Sequence, residues 1–294
     1  MHLVVDFDGT ITQSDTIAEL VRSAMQHQHR QRPQTQTDHN LPSAWEHALQ
    51  TYLAEYRAYH ADYHPPETRR TTPALEASFL AGLKPLEEAS LARVSHSGLF
   101  VALSRHALHD MGAEAVSSGR VRLRSGWPDL LAEATRRGIP LTVLSVHWSR
   151  SFIQGVLSHD LLPSGPPIDV LANEIDDQGG IVGPAGDEPS RLVTAGDKLA
   201  VLQRWTAAAE HEVIYLGDSP TDLTCLLAAQ TGIVLAAGED GSSPVLKTLR
   251  RIGIQVKHVG GIMAARAGSA DGTEQVVFWA RDMREVLQSG VLGT

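Results

Sequence analysis

Cysteine is almost missing from this chain of 294 residues: Cys225 stands alone. A single thiol excludes an intramolecular disulfide framework and a multi-cysteine zinc site. Positive charge is also short. The 25 lysines and arginines face 34 aspartates and glutamates, for a net charge of −9. That balance argues against a general nucleic-acid binder, which needs a basic footprint against the phosphates. No apolar run approaches the roughly 18 residues of a membrane span. Asp6 and Asp8 interrupt the only apolar stretch near the start, so no signal peptide is expected. A reduced, cytoplasmic protein with neither membrane nor nucleic acid as partner is the expectation. No internal repeat is visible, and no sequence feature speaks to oligomeric state. Aromatics make up only 5%, yet four of the five tyrosines, Tyr52, Tyr56, Tyr59 and Tyr63, crowd into one segment.

What is present is ordinary for a globular chain: 42% hydrophobic and 20% charged residues. The length suggests one or two domains with enough core to need no staples. Leu3-Val4-Val5 is a short apolar run ending in Asp6-Phe7-Asp8-Gly9-Thr10. An apolar run that stops at acids and a glycine reads as a buried strand delivering polar groups at its end. Similar runs occupy 140–145, 168–171, 212–217 and 232–235, with a weaker one at 253–256. Helical patterns lie between them, as at Trp127–Arg137, Lys198–Trp205 and Asp222–Ala229. Such alternation predicts an α/β fold with a mostly parallel sheet. Ligands bind such sheets at the carboxyl ends of the strands.

Residues 15 to about 120 break the alternation and read as helical throughout. Asp15 is a good N-cap for a helix over Thr16–Met25, and Trp45, Leu49, Tyr52, Leu53 and Tyr56 form a helical stripe. The expected organisation is therefore a core of 1–14 and 120–294 with an inserted helical domain of 15–119. Within it, Gln26–Pro42 is rich in Gln and His and poor in apolar residues, so a flexible, solvated loop is expected rather than a metal site. The tyrosine stripe reads as packing of that insertion, with pocket lining the alternative. Residues 171–183 read as a hairpin around an Asp-Asp-Gln-Gly-Gly turn, and 274–287 as a tail packed on the sheet edge. Cys225, among leucines, reads as a buried inert thiol.

Polar residues at the strand ends suggest chemistry. Asp6 and Asp8 are two apart, so both carboxylates can reach one site past Gly9. Two such acids suit a nucleophile beside a proton donor and acceptor. Ser145 ends the second strand, and its hydroxyl could donate to a phosphate oxygen. Lys198 opens a later helix, where its ammonium could neutralise phosphate charge. Gly217-Asp218-Ser219-Pro220-Thr221-Asp222 supplies two more acids. Asp6 and Asp218, with the Asp8 carbonyl, suffice for magnesium, which binds few carboxylates and keeps waters. Asp222 would then hold a water or orient Lys198.

These four motifs, in this order, resemble the haloacid dehalogenase superfamily. The resemblance covers roughly residues 1–14 and 120–260. It implies a Rossmann-like core, Mg²⁺, an aspartyl-phosphate intermediate, and a helical C1 cap closing over a small phosphate ester. Metal ligation by Asp6, Asp8, Asp218 and Asp222, catalysis by Asp6, Asp8 and Lys198, and phosphate contacts by Gly9, Thr10, Ser145 and Val146 are what it implies for the site. The opening Thr10-Ile11-Thr12 with Asp15, the hairpin before Lys198 and the run around Cys225 look most like the phosphoserine phosphatase branch and its relatives. The chain departs from that branch after Ser145. Two glycines would stand there, and Val146-His147-Trp148-Ser149-Arg150 does instead. His147, Trp148 and Arg150 become candidates for leaving-group contact. Competing readings are transfer to an acceptor other than water, dehalogenation, and a binding protein on the same fold. The acids at 8, 218 and 222 speak against dehalogenation, and the intact motifs speak against a binding protein.

Overall fold

In a computed structural model, residues 1–31, 41–158, 168–184, 191–208, 212–236, 238, 243–268 and 275–293 are described. The strands are β1 (His2–Val5), β2 (Leu141–Leu144), β3 (Asp169–Leu171), β4 (Glu174–Ile175), β5 (Ile181–Val182), β6 (Val213–Gly217), β7 (Thr231–Leu235), β8 (Gln255–His258) and β9 (Val276–Ala280). Five helices follow β1: α1 (Ile17–Gln31), α2 (Leu41–Asp62), α3 (Pro73–Gly82), α4 (Lys84–His96) and α5 (Arg105–Ser117). The others are α6 (Trp127–Arg136), α7 (Arg150–Ser158), α8 (Ala195–Ala208), α9 (Leu223–Ala228), α10 (Pro244–Arg251), α11 (Ile262–Gly268) and α12 (Met283–Gln288).

Among the described residues one seven-stranded sheet runs β3-β2-β1-β6-β7-β9-β8, every neighbouring pair parallel. The central strands bury both faces. Leu3, Val4, Val5, Ile214 and Leu216 are all sealed from solvent, which is why they read as unbroken apolar runs. The chain leaves β1 toward β2 and β3 on one side, and later returns through β6 to build the other side. The crevice beyond the ends of β1 and β6 is thus the topological switch point where such sheets take ligands.

Two expectations are corrected. The tail does not lie at the sheet edge, because β9 pairs with both β7 and β8. Val277 and Phe278 are buried, whereas Lys257 and His258 of β8 are exposed, so β8 tolerates the edge and β9 does not. The stretch 26–42 is not a loop throughout: α1 continues to Gln31 and α2 starts at Leu41. Gln28 is buried and its amide donates to the Val101 carbonyl, a partner that composition does not reveal. The rest of that segment, 32–40, lies outside the described residues. The inserted helices contribute to the same apolar clusters as the sheet and its helices. Phe79 and Leu80 of α3 join Val4, Leu144 and Val213 in one apolar cluster, and Leu108, Met111 and Ala115 of α5 join Phe152, Ile153 and Val156 of α7 in another.

The crossing of α5 and α7 depends on two glycines. A methyl group added at Gly155 would lie 1.9 Å from the His109 carbonyl oxygen, and one at Gly112 would lie 2.2 Å from that of Phe152. Backbone cannot retreat as a side chain can. Gly155→Ala should therefore cost about 1–3 kcal/mol of stability, the usual penalty of overpacking. Gly261→Ala, where an added methyl group meets nothing within 4 Å, should stay within about 0.5 kcal/mol of the parent. Urea unfolding followed by circular dichroism compares them; equal midpoints would mean that the two helices part without penalty.

Candidate active site

The site is built from the ends of β1 and β6 outward. Asp6 follows β1 directly, and its amide donates to the Leu216 carbonyl of β6 at 2.9 Å. The chain then turns at Gly9, where φ is +71°. Glycine is required here for a second reason: a side-chain carbon would fall 2.2 Å from an Asp218 carboxylate oxygen. Asp218 is held by the Thr10 hydroxyl, which donates to its Oδ1 at 2.9 Å. Thr10 is fully buried, and its hydroxyl positions Asp218. Arg124 braces the same turn from below, its guanidinium donating to the Gly9 and Thr10 carbonyls.

Lys198 rises from α8 into this cluster, fully buried, with Nζ 2.6 Å from Asp6 Oδ1 and 2.7 Å from Asp222 Oδ1. Burial opposes its charge, but Asp222 and Asp6 outweigh burial and raise its pKa above the ordinary value. Asp222 has both oxygens committed. Oδ1 accepts from Lys198 and from the Tyr215 hydroxyl at 2.6 Å, and Oδ2 accepts from the Asp218 and Ser219 amides and the Ser219 hydroxyl. Its carboxyl is pulled below the usual range despite burial, chiefly by Lys198. Asp222 is thus the group that orients Lys198, and of the two roles read for it this is the one the contacts favour.

One ammonium cannot balance the remaining acids. Burial, then the charge of Asp222, raises the Asp6 pKa, and the same pair of causes lifts Asp218 to about 7. Oxygens of Asp6, Asp218 and Asp222 lie within 4.8 Å of one another. Asp8 stands apart from this cluster. Its Oδ1 accepts from the Thr16 amide at 2.9 Å and hydroxyl at 2.7 Å, and burial raises its pKa to about 6 against those bonds.

A cavity of about 330 Å³ opens onto these groups. Asp6, Asp8, Gly9 and Asp218 form its floor, and Ser145, Val146, His147 and Trp148 one wall. Ser145 accepts the His147 amide on its Oγ at 3.1 Å and keeps its own proton to donate. Arg150 does not line the cavity. Its Nε faces Glu174 at 3.9 Å instead, which removes it from the expected leaving-group contacts. None of the four clustered tyrosines lines the cavity; Tyr56, Tyr59 and Tyr63 pack against the core.

Sequence reasoning missed several contributors. Tyr215 lies in an apolar run, and its one sequence signal is that a buried tyrosine needs a partner for its hydroxyl. Thr16, which holds Asp8, follows an N-cap residue and has no sequence signal of its own. Asp15, Ile17, Ser219 and Thr221 also line the cavity. Glu174, an acid inside an apolar hairpin strand, accepts the Ser149 and Ser151 hydroxyls at 2.9 and 2.6 Å and so fixes the loop after Ser145. Asn173 donates to the Val146 and His147 carbonyls of the same loop.

Comparison with known proteins agrees with this geometry. The CTO1 family protein C17G9.12c of Schizosaccharomyces pombe is 29% identical over 258 residues, covering 81% of this chain and 83% of that protein. A phosphoserine phosphohydrolase-like protein from Francisella tularensis subsp. tularensis shares the fold at a TM-score of 0.50, with 12% identity and 98% of both chains covered. Cytosolic 5'-nucleotidase IIIB bound to cytidine also matches at 0.50, with 15% identity over 85% of this chain and 77% of that one. Both likenesses are of fold. The family model of the haloacid dehalogenase-like hydrolases matches residues 3–227, and the chain belongs to that family.

Proposed function

We propose that the protein is a Mg²⁺-dependent phosphomonoesterase that hydrolyses a small phosphate ester through an aspartyl phosphate on Asp6. The observation that carries this is the pairing of a Lys198-bound carboxylate, Asp6, with a second carboxyl, Asp8, whose pKa of about 6 keeps a proton within reach near neutral pH. The donor set fits magnesium: hard carboxylate oxygens of Asp6, Asp218 and Asp222 lie together in a cluster with more anions than cations, and the Asp8 carbonyl would be a further donor. When bound, the ion neutralises phosphate charge and keeps Asp6 ionised.

The chain's own groups divide the remaining work. An Asp6 oxygen attacks phosphorus, and the bond to the leaving oxygen breaks as Asp8 gives that oxygen its proton. Thr16 occupies Asp8 Oδ1, which leaves Oδ2 for the proton. Ser145 Oγ–H donates to a phosphoryl oxygen, and Lys198, beneath the floor, holds Asp6 and offsets its charge. Water then attacks the aspartyl phosphate, Asp8 takes its proton, and Asp6 and inorganic phosphate are released.

The first test separates the two acids. Asp6→Asn should form no phosphoenzyme and lose turnover. Asp8→Asn should lose an alkyl phosphate by about 10²–10⁴-fold, the worth of general acid-base help, and suffer less in the phosphorylation step with a nitrophenolate leaving group. Steady-state rates and hydroxylamine-sensitive label report both; normal turnover in Asp6→Asn refutes the nucleophile.

The second reads the metal site without activity. Asp218 and Asp8 hold protons in the folded chain that they release near pH 4 when unfolded. Rising pH from about 4 to 7 therefore removes stability from the metal-free protein. Asp218→Asn should flatten that dependence and raise the metal-free melting temperature at pH 8, by about 2–4 °C per kcal/mol relieved. Excess Mg²⁺ should raise the parent's melting temperature and leave that variant's unchanged. A lower metal-free melting temperature for Asp218→Asn at pH 8 would overturn this account of the cluster.

A further inference from the structure

Asn173 stands between β3 and β4 and is fully buried. Its side-chain amide has one orientation that fits its neighbours. The Leu192 amide lies 2.8 Å from Oδ1, and a backbone N–H can only donate, so that atom is the oxygen. Nδ2 then faces three carbonyl oxygens: Val146 and His147, each at 3.2 Å, and Leu192 at 2.9 Å. Two hydrogens serve three acceptors. The reversed amide would set oxygen against oxygen at all three. The Asn173 backbone carbonyl is engaged too, by the Arg150 amide at 2.7 Å.

The two segments joined by this side chain lead to different parts of the site. Val146 and His147 belong to the loop after β2. The peptide between them gives its carbonyl to Asn173 and its N–H to Ser145 Oγ, at 3.1 Å. Holding that peptide therefore sets the direction of the Ser145 hydroxyl. Leu192 belongs to the approach to α8. Two residues on, the Thr194 carbonyl accepts the Lys198 amide at 3.2 Å, and the Thr194 amide and hydroxyl are tied to Asp197. Lys198 in turn holds Asp6 at 2.6 Å. Ser145 and Asp6 both line the cavity, and Asn173 stands behind it.

We propose that Asn173 is a positioning residue: it locks the loop after Ser145 to the approach to α8, and so fixes the Ser145 hydroxyl relative to the Lys198-held carboxylate of Asp6. This rests on the phosphatase reading above. A nucleophile and a phosphoryl donor carried on separate segments gain from being held as one unit, because a misplacement of about 1 Å can cost about 10²-fold in rate. The role needs a donor and an acceptor on one short side chain. Aspartate keeps the acceptor for the Leu192 amide but turns its second oxygen on three carbonyls. Alanine removes both bonds and leaves the backbone bond to Arg150, so the hairpin stays attached while the two segments are released from each other.

The test uses the full chain with Mg²⁺ and p-nitrophenyl phosphate, at a temperature where circular dichroism shows each variant folded. Asn173→Ala and Asn173→Asp should lower kcat and kcat/KM together by about 10–10²-fold, the mark of a lost transition-state interaction. Inhibition by orthovanadate should weaken in step. Val291→Ala, a buried truncation beyond α12, should lower the melting temperature and keep the parent kcat. Asn173→Ala combined with Ser145→Ala should lose less than the product of the two single losses, because one acts through the other. A second arm needs no variant. In the parent, orthovanadate with Mg²⁺ should slow amide hydrogen exchange at Leu192 as well as at His147, since one side chain bonds both segments. Parent-like kcat in a folded Asn173 variant, an equal loss in Val291→Ala, multiplicative losses in the double variant, or slowing confined to His147 would each overturn the proposal. No phosphate release by the parent would instead overturn the phosphatase reading itself.

Discussion

The buried ammonium of Lys198 is the constraint on which the site depends. It sits among three carboxylates and can satisfy two. Removing charges from water is expensive, and the cost is recovered only where geometry and further hydrogen bonds are good. Asp222 meets that condition, with Lys198, Tyr215 and the backbone of Asp218 and Ser219 saturating both oxygens. Asp6 and Asp218 do not. The surplus of negative charge is thus concentrated on the two carboxylates that face the cavity. That unrelieved charge is what a divalent cation would offset in the function proposed above.

The cavity wall formed by the loop after Ser145 has a different logic. It is made of backbone turns that would wander without support, and a two-stranded hairpin supplies it. Glu174 and Asn173 stand at the start of that hairpin and bond the loop from Val146 to Ser151 at several points. Each such bond is worth only about 0.5–1.5 kcal/mol net, but together they fix side-chain directions in a way that packing of a short loop cannot.

Much of this was legible in the sequence because the signals were local. An apolar run ending at Asp6 and Gly9 announces a strand end, and the spacing of Asp218 and Asp222 announces a turn. The parallel sheet follows from alternation. What escaped was non-local. The place of β9 inside the sheet depends on which strand can bear exposure, a comparison between Phe278 and Lys257 that no single window contains. The extension of α1 through Gln28 depends on a carbonyl at Val101. Arg150 sat among site residues in sequence, but the nearest acid in space was Glu174. The roles of Thr10 and Tyr215 became visible only once their hydroxyls had partners.

The manner in which the inserted helices are fastened follows from the same electrostatics. Lys84 at the start of α4 donates to Asp197 at 2.6 Å, one residue before Lys198. Asp197 also accepts from the Thr194 amide and hydroxyl, so it caps the start of α8 and ties the insertion to the helix that carries Lys198. On the far side Glu76 of α3 is shared between Arg70 at 2.8 Å and Arg251 of α10 at 2.9 Å, and Arg70 lies over the Phe79 ring at 3.8 Å. The Lys84 pair is exposed enough to add little stability, whereas breaking a buried pair such as Arg70–Glu76 leaves an uncompensated charge. The better sealed of the two fastenings is therefore the one around Glu76. The helices that reach the cavity, α1 through Ile17 and α2 through Trp45 against Trp148, are thereby held over the acids by a fixed frame. Keeping bulk water from Asp6 and Asp8 is what sustains their raised pKa values, so the fastening of the insertion and the acidity of the site are one physical problem with one solution.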